Sequence, residues 1–284
     1  MSQALALLAI TLGAAIVNGA LGYGFSSITV PLALLFLTNR VLNPALVLIE
    51  VVLNAWVLWV NRAAIPLVEK RVRWVIAGLL PGVVIGTLIL SRVHPGWVKL
   101  ATYAALLPLI LVQATGRRRP VRAEKSAGLA LGGGVGLLYA VTTISGPPLA
   151  VALNNQGFSK QEFRAALALV RLAEASLTAV TYAAAGLFIR ESVELIPAIL
   201  PGVAIGVPIG AVLIRHLPPE TFRRICMSVD AWIVSFGLST LLRDLHIVDS
   251  GAAYSVMAVV VAIDVWLLYR FFGRDEAREV TSVR

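Results

Sequence analysis

Five ionisable side chains stand inside apolar runs of this sequence. They are Glu50 in "LVLIEVVLNAW", Arg171 and Glu174 in "ALVRLAEAS", Asp230 in "MSVDAWI" and Asp264 in "VAIDVWL". A charge held among apolar residues is costly unless it is paired or wet, so each needs a partner or a task. Arg171 carries a planar fork of N–H donors, which suits an oxyanion. Glu174 follows it at i+3, on the same helix face, so an internal ion pair is the competing reading. Glu50 and Asn54 are spaced i,i+4 and also share a face. Glu50, Asn54, Glu174, Asp230 and Asp264 are therefore candidates for coupling an ion to the site or for supporting it. For the two aspartates, pairing with a neighbouring helix is the plainer expectation.

Two stretches break the apolar pattern with small and hydroxylated residues. They are "NGALGYGFSSITVPLALL" (Asn18–Leu35) and "LLYAVTTISGPPLAVAL" (Leu137–Leu153). A helix that restarts inside such a break exposes unpaired N–H groups, which together with the helix dipole favour an anion. Ser26, Ser27, Thr29, Thr142, Thr143 and Ser145 add hydroxyl donors. Gly22, Gly24 and Gly146 let backbone approach a ligand closely. "SGPPL" (Ser145–Leu149) reads as a helix start, with a capping serine followed by proline in the first turn. These residues, with Arg171, form the candidate substrate-binding set. Close helix packing by small residues is the alternative.

The elements that must position them are membrane helices. The chain has 284 residues, 58% hydrophobic and only 14% charged, with a mean hydropathy of +0.86. About a quarter charged is usual for soluble domains. Apolar runs long enough to span a bilayer recur to about residue 272, and there are no alternating short strands of a barrel. Helices are expected near 3–18, 25–38, 43–61, 73–91, 97–114, 127–141, 147–155, 162–188, 193–214, 220–241 and 252–272. The net charge of +9 follows from basic loops rather than nucleic-acid binding. The lone Cys226 excludes an intrachain disulfide. The first apolar segment lacks a basic leader and reads as a membrane helix. His94 and His216 stand beside prolines at helix ends and read as interfacial groups.

The sequence also repeats itself. "PLALL" (Pro31–Leu35) answers "PLAVA" (Pro148–Ala152), and "PGVVIG" (Pro81–Gly86) answers "PGVAIG" (Pro201–Gly206), at offsets of 117 and 120. Asn54 falls opposite Arg171 at the first offset and opposite Glu174 at the second. Loop charges suggest how the halves are oriented. If each broken segment enters and returns to one side, Arg40, Arg92, Lys99, Arg190 and Arg243 lie on one face. The other 18 Lys and Arg residues, Arg171 apart, lie on the opposite face. The positive-inside rule prefers that arrangement. It gives three crossings per repeat, and so inverted halves.

The expected fold is therefore an all-α polytopic membrane protein. It has two inverted repeats, each a broken or re-entrant helical hairpin plus three spanning helices, with one extra C-terminal helix. The first repeat is placed at 1–115, a basic linker at 116–126, the second repeat at 127–242, and the extra helix and tail at 243–284. The N-terminus is expected outside and the C-terminus in the cytoplasm.

At the Gly-rich break followed by "VPLALL", at "ISGPPLAVAL", at "FRAALAL" (Phe163–Leu169) and at "PGVAIGVPIG" (Pro201–Gly210), the chain resembles the sulfite exporter TauE/SafE family of membrane permeases. The resemblance covers most of residues 10–240. It implies a bacterial inner-membrane carrier for sulfite, sulfoacetate or another small anion, with the site at segments 19–31 and 143–149. Glu50, Arg171 and Glu174 are not carried by the motifs of the resemblance. The expected function is export of a small anion by alternating access. An anion channel and a proton-coupled importer are the alternatives. No HExxH, GxSxG or His-rich set is present, so no enzyme, metal or cofactor is expected. The expected partners are the small anion and the bilayer, not nucleic acid. The oligomeric state stays open, a homodimer among the options.

Overall fold

A computed structural model describes residues 3–114, 125–154, 158–213, 219–248 and 250–282. The described residues hold helices and turns and no strand. The chain runs α1 (Gln3–Leu21), α2 (Phe25–Ala33), α3 (Asn39–Val60), a 3-10 turn (Arg62–Ala64), α4 (Ile65–Arg92) and α5 (Pro95–Ala114). It continues through α6 (Lys125–Thr142), α7 (Gly146–Asn154), α8 (Lys160–Ala184), α9 (Arg190–Glu194), α10 (Ile196–Leu213), α11 (Pro219–Asp244) and α12 (Ser255–Ser282). Most of the expected linker at 116–126 lies outside the described residues, as do His216 and the rest of 214–218.

Among the boundaries that differ from the apolar pattern, two have plain physical reasons. The helix at α4 begins at Ile65, well before the apolar run, because Glu69–Arg73 continue it as solvated helix. Membrane thickness limits the apolar stretch, not the helix. Conversely, α2 stops at Ala33. Its end tightens into bonds such as Leu35 N–H to Leu32 O, so α2 and α7 are nine residues each. That is about 14 Å, half of a ~30 Å hydrocarbon core.

Five helices are long and apolar enough to cross a membrane among the described residues: Gln3–Leu21, Asn39–Val60, Arg62–Arg92, Arg190–Leu213 and Gly251–Phe272. Large apolar side chains on them face outward, among them Trp56, Trp59, Leu80, Ile85, Ile205 and Trp266. Such a surface fits hydrocarbon as its solvent. The protein is an all-α polytopic membrane protein.

The two sequence halves interlock. The broadest interface joins α4 to α6 and the next joins α1 to α10, so each half lends a helix to the other. Helices α3 and α8 pack together between them. Glycines set these contacts. A Cβ at Gly82 would collide with the Gly133 carbonyl, and one at Gly86 would lie 2.7 Å from Ala140 Cβ. On the other pair, a Cβ at Gly206 would lie 2.7 Å from Ala15 Cβ, and one at Gly210 would strike the Ile16 carbonyl. The repeated "PGVxIG" sequence is thus a close-approach surface in both places.

Helix α12 is held by a buried ion pair, Arg224 Nη2 to Asp264 Oδ1 at 2.8 Å. This gives Asp264 a partner on a neighbouring helix. Gly82→Ala should lower stability by about 1–3 kcal/mol through overpacking. Gly13→Ala, where nothing lies within 4 Å of the new Cβ, should stay within about 0.5 kcal/mol of the wild type. Thermal unfolding in detergent compares the two.

Candidate functional site

The site grows from the two breaks. After α1, Gly22 and Gly24 have φ of 84° and 110°, a backbone that side chains with a Cβ rarely adopt. After α6, the turn is made by Thr143 at φ 56°. A β-branched residue there is strained. Thr142 steadies it by accepting the Ile144 N–H at 3.0 Å.

Each break frees helix-end carbonyls inside the protein, and other helices satisfy them. Arg164 Nη2 donates to Ala20 O at 3.3 Å. Tyr182 OH donates to Ala140 O. Asn43 Nδ2 donates to Val141 O at 2.7 Å, with Asn39 Nδ2 at 3.4 Å. Tyr103 OH reaches Pro31 O at the far end of α2, at 2.9 Å. These donors hold the irregular backbone in place.

The two breaks also meet. A Cβ on Gly146 would sit 3.2 Å from Tyr23 Cβ, so the start of α7 lies against the turn before α2. No side chain caps α2. Ser145 accepts the Leu149 N–H on its carbonyl, as a residue at a helix start does. Its hydroxyl, however, does not cap α7; it donates to Glu174 Oε2. Ser26 does the same in the first half, donating to Glu50 Oε1. The cap expected of Ser145 is therefore replaced by a serine–carboxylate bond, and Ser26 makes a bond of the same kind in the first half.

Glu50 is the hub. Besides Ser26 it accepts Arg171 Nη2 on Oε1 at 2.7 Å and Tyr139 OH on Oε2 at 2.7 Å. Glu50 and Glu174 have no exposed surface, and Arg171 is 2% exposed. Arg171 therefore pairs with Glu50 on α3, not with Glu174 on its own helix. Glu174 remains in electrostatic contact with Arg171, Glu50 and Tyr139. The paired residues also stand in matching register. Phe25 and Gly146 open α2 and α7, and Asn39 and Lys160 open α3 and α8. Both pairs are 121 apart, and at that offset Glu50 stands opposite Arg171. The start of α8 is fixed by a capping box. Glu162 N–H donates to Ser159 Oγ at 3.3 Å, and Ser159 N–H donates to Glu162 Oε2 at 2.7 Å.

Several buried polar atoms have no hydrogen-bond partner among the described residues: Arg171 Nε and Nη1, Glu174 Oε1, Thr29 Oγ1, Asn18 Oδ1 and Thr178 Oγ1. Unpaired buried groups are rare and ask for an explanation. Two of them are N–H groups of one guanidinium, which an oxyanion would satisfy.

The model of one family, Sulfite exporter TauE/SafE, matches residues 7–235. The chain belongs to the TauE/SafE family. Neither a curated protein nor a solved structure matches it. TauE/SafE membership makes the chain a membrane transporter, and the match spans both breaks and the Glu50–Arg171 pair. It stops short of α12 and its Asp264.

The other candidates fall outside the cluster or at its edge. Asn54 Nδ2 donates to the Glu50 carbonyl at 2.8 Å, so it braces α3. Ser27 and Thr29 are buried on α2. Thr143 Oγ1 donates to the Thr142 carbonyl at 2.7 Å. Asp230 is buried on α11 with Oδ1 unpartnered among the described residues, and no hydrogen bond or ion pair found among them joins it to Arg171 or the glutamates. Sequence reasoning missed Tyr139, Tyr182, Asn39, Asn43 and Arg164. Their signal was a polar tip near a break, or on a helix packed against one.

Removing one partner of a buried pair leaves an uncompensated charge. Glu50→Leu alone should destabilise this TauE/SafE chain by about 3–5 kcal/mol. Glu50→Leu with Arg171→Met should recover most of that loss while abolishing transport. Unfolding in detergent and flux in liposomes measure the two effects separately.

Proposed function

We propose that the chain is a secondary carrier that exports sulfite, or a related small sulfur-containing or organic anion, across the bacterial inner membrane by alternating access. The observation that carries this reading is the meeting of two broken helices beside a buried guanidinium with unspent donors. Arg171 gives one Nη2 bond to Glu50, while Nε and Nη1 stay unpartnered. In this reading those donors, the first-turn N–H groups of α2, the Gly146 N–H at the start of α7, and Thr29 take the place of the anion's water. Gly24 and Gly146 permit the approach. Family membership supports sulfite as the first substrate to test.

Export needs little driving machinery. A negative-inside potential favours outward movement of an anion by about 2.3 kcal/mol per charge per 100 mV. The halves are read as inverted repeats with the N-terminus outside, an arrangement that suits a carrier with a central site.

Alternating access is supported by unequal packing. Helix α4 packs broadly on α8, and Thr87 and Thr181 hydroxyls meet at 2.9 Å. Its counterpart α10 meets α3 over a narrow strip. A groove of about 490 Å³ opens between them, lined by Val52, Leu53, Trp56, Val203 and Val207 among others. In an inverted pair, the alternate state would close α10 on α3 and open α4 from α8.

Sulfite efflux from liposomes holding the purified protein should saturate with concentration and quicken with an imposed potential. Arg171→Lys should reduce it at least about tenfold, because an ammonium cannot serve Glu50 and an oxyanion with one planar fork. Flux that never saturates would favour a channel, and inert protein across sulfite, thiosulfate and sulfonates would remove the reading. Thr87→Cys with Thr181→Cys, in a Cys226→Ser background, should cross-link and stop flux until reduced. Undiminished flux in the cross-linked protein would overturn the moving interface.

A further inference from the structure

Two serine–carboxylate bonds stand at the site, and they are not equivalent. A serine has one hydroxyl proton to give. Ser145 gives it to Glu174 Oε2, and Ser26 gives it to Glu50 Oε1. While each carboxylate is ionised it only accepts, so neither serine can donate to a substrate. The difference lies in what else each carboxylate receives. Glu50 also takes the Arg171 guanidinium and the Tyr139 hydroxyl, both at 2.7 Å. Glu174 takes only the Ser145 hydroxyl among the described residues, and its Oε1 has no partner.

Charge makes the difference consequential. Two carboxylates and one guanidinium, all buried, leave one uncompensated negative charge. An arriving anion would add to it where water cannot help. One proton neutralises the cluster, so that the anion arrives at a site with no net charge against it.

We propose that Glu174 is the proton-linked residue of the site, and that its protonation turns the Ser145 hydroxyl into a donor for the anion. The proton comes from water and goes to the Glu174 carboxyl. The neutral acid then donates to Ser145 Oγ, and the serine O–H rotates toward the substrate. No covalent bond other than O–H changes. Loss of the proton reverses the hydroxyl and adds a negative charge, and both effects release the anion. The anion and one proton therefore bind together and travel in the same direction, so a sulfite dianion still carries one net negative charge outward down the potential.

The groups facing Glu174 are few. Glu50 comes from α3, Tyr139 from α6, Ser145 from the break before α7, and Arg171 from its own helix. Thr178 follows one turn on, with an unpartnered hydroxyl. From α4, Thr87 reaches Thr181, further along α8. The Arg62–Ala64 turn meets α8 elsewhere, with Arg62 exposed. Arg171 is the one cation among them, and its bond is to Glu50.

This inference rests on the carrier reading, and its test separates the two. The full-length protein in detergent is titrated calorimetrically with sulfite, and with methanesulfonate, whose charge is constant over about pH 6 to 8. Wild-type Kd for methanesulfonate should rise by up to about tenfold per pH unit. Glu174→Gln, whose amide can donate to Ser145 permanently, should bind with a flat pH profile. Ser145→Ala should weaken low-pH binding about tenfold, the loss of one hydrogen bond to a charged group. Melting curves show that each variant is folded, and a folded Ser145→Ala carries the test if Glu174→Gln unfolds. In liposomes, an imposed proton gradient should drive anion accumulation by the wild type and not by Glu174→Gln. A flat wild-type profile, a slope kept in Glu174→Gln, or wild-type affinity in Ser145→Ala overturns the proposal and leaves the carrier standing. Binding of neither anion at any pH overturns both.

Discussion

A backbone broken inside a membrane protein must still find partners for every N–H and C=O it frees. Water cannot supply them in hydrocarbon, and an unsatisfied group costs several kcal/mol. Much of this structure follows from meeting that demand at two places. Arg164, Tyr182, Asn43 and Tyr103 each send a donor to a stranded carbonyl. They come from α8, α3 and α5, so the breaks are held by helices distant in sequence. The freed N–H groups at the start of α2, with the Gly146 N–H that opens α7, are left for another use.

Bringing the breaks together requires the helices to cross between halves at close range. The glycine rows of α4 and α10 allow it. With no Cβ at Gly82 or Gly210, backbone rests on backbone, against α6 in one case and α1 in the other. Packing, rather than a hydrophobic drive, holds helices together in lipid. The same contacts set α3 beside α8, and so place Glu50 within 2.7 Å of Arg171.

The resulting cluster is polar but not positively charged. Ser26 and Ser145, which look like donors waiting for an anion, are engaged by carboxylates. Arg171 gives Nη2 to Glu50, while its Nε and Nη1 have no hydrogen-bond partner among the described residues. A site of this kind would hold an anion through fixed dipoles and a shared guanidinium rather than through net charge. Weak net attraction suits a carrier, which must release what it binds.

The sequence by itself determined the class, the position of the breaks and the family. Those rest on local properties: apolar run length, glycine and hydroxyl content, and motif order. It also placed Arg171, Glu50, Glu174, Ser26 and Ser145 among the residues to watch, since a charge or a hydroxyl inside an apolar run is visible without coordinates. Only the tertiary structure decided who bonds to whom. The i+3 spacing of Arg171 and Glu174 pointed to a pair within α8, but α3 brings Glu50 to the guanidinium and the break before α7 brings Ser145 to Glu174. Tyr139 and Asn43 were hidden for the same reason, because their partners lie 89 and 98 residues away. Spacing along one helix fixes which side chains can meet on that helix. Which one wins depends on what the neighbouring helices deliver, and that is set by packing across the whole fold.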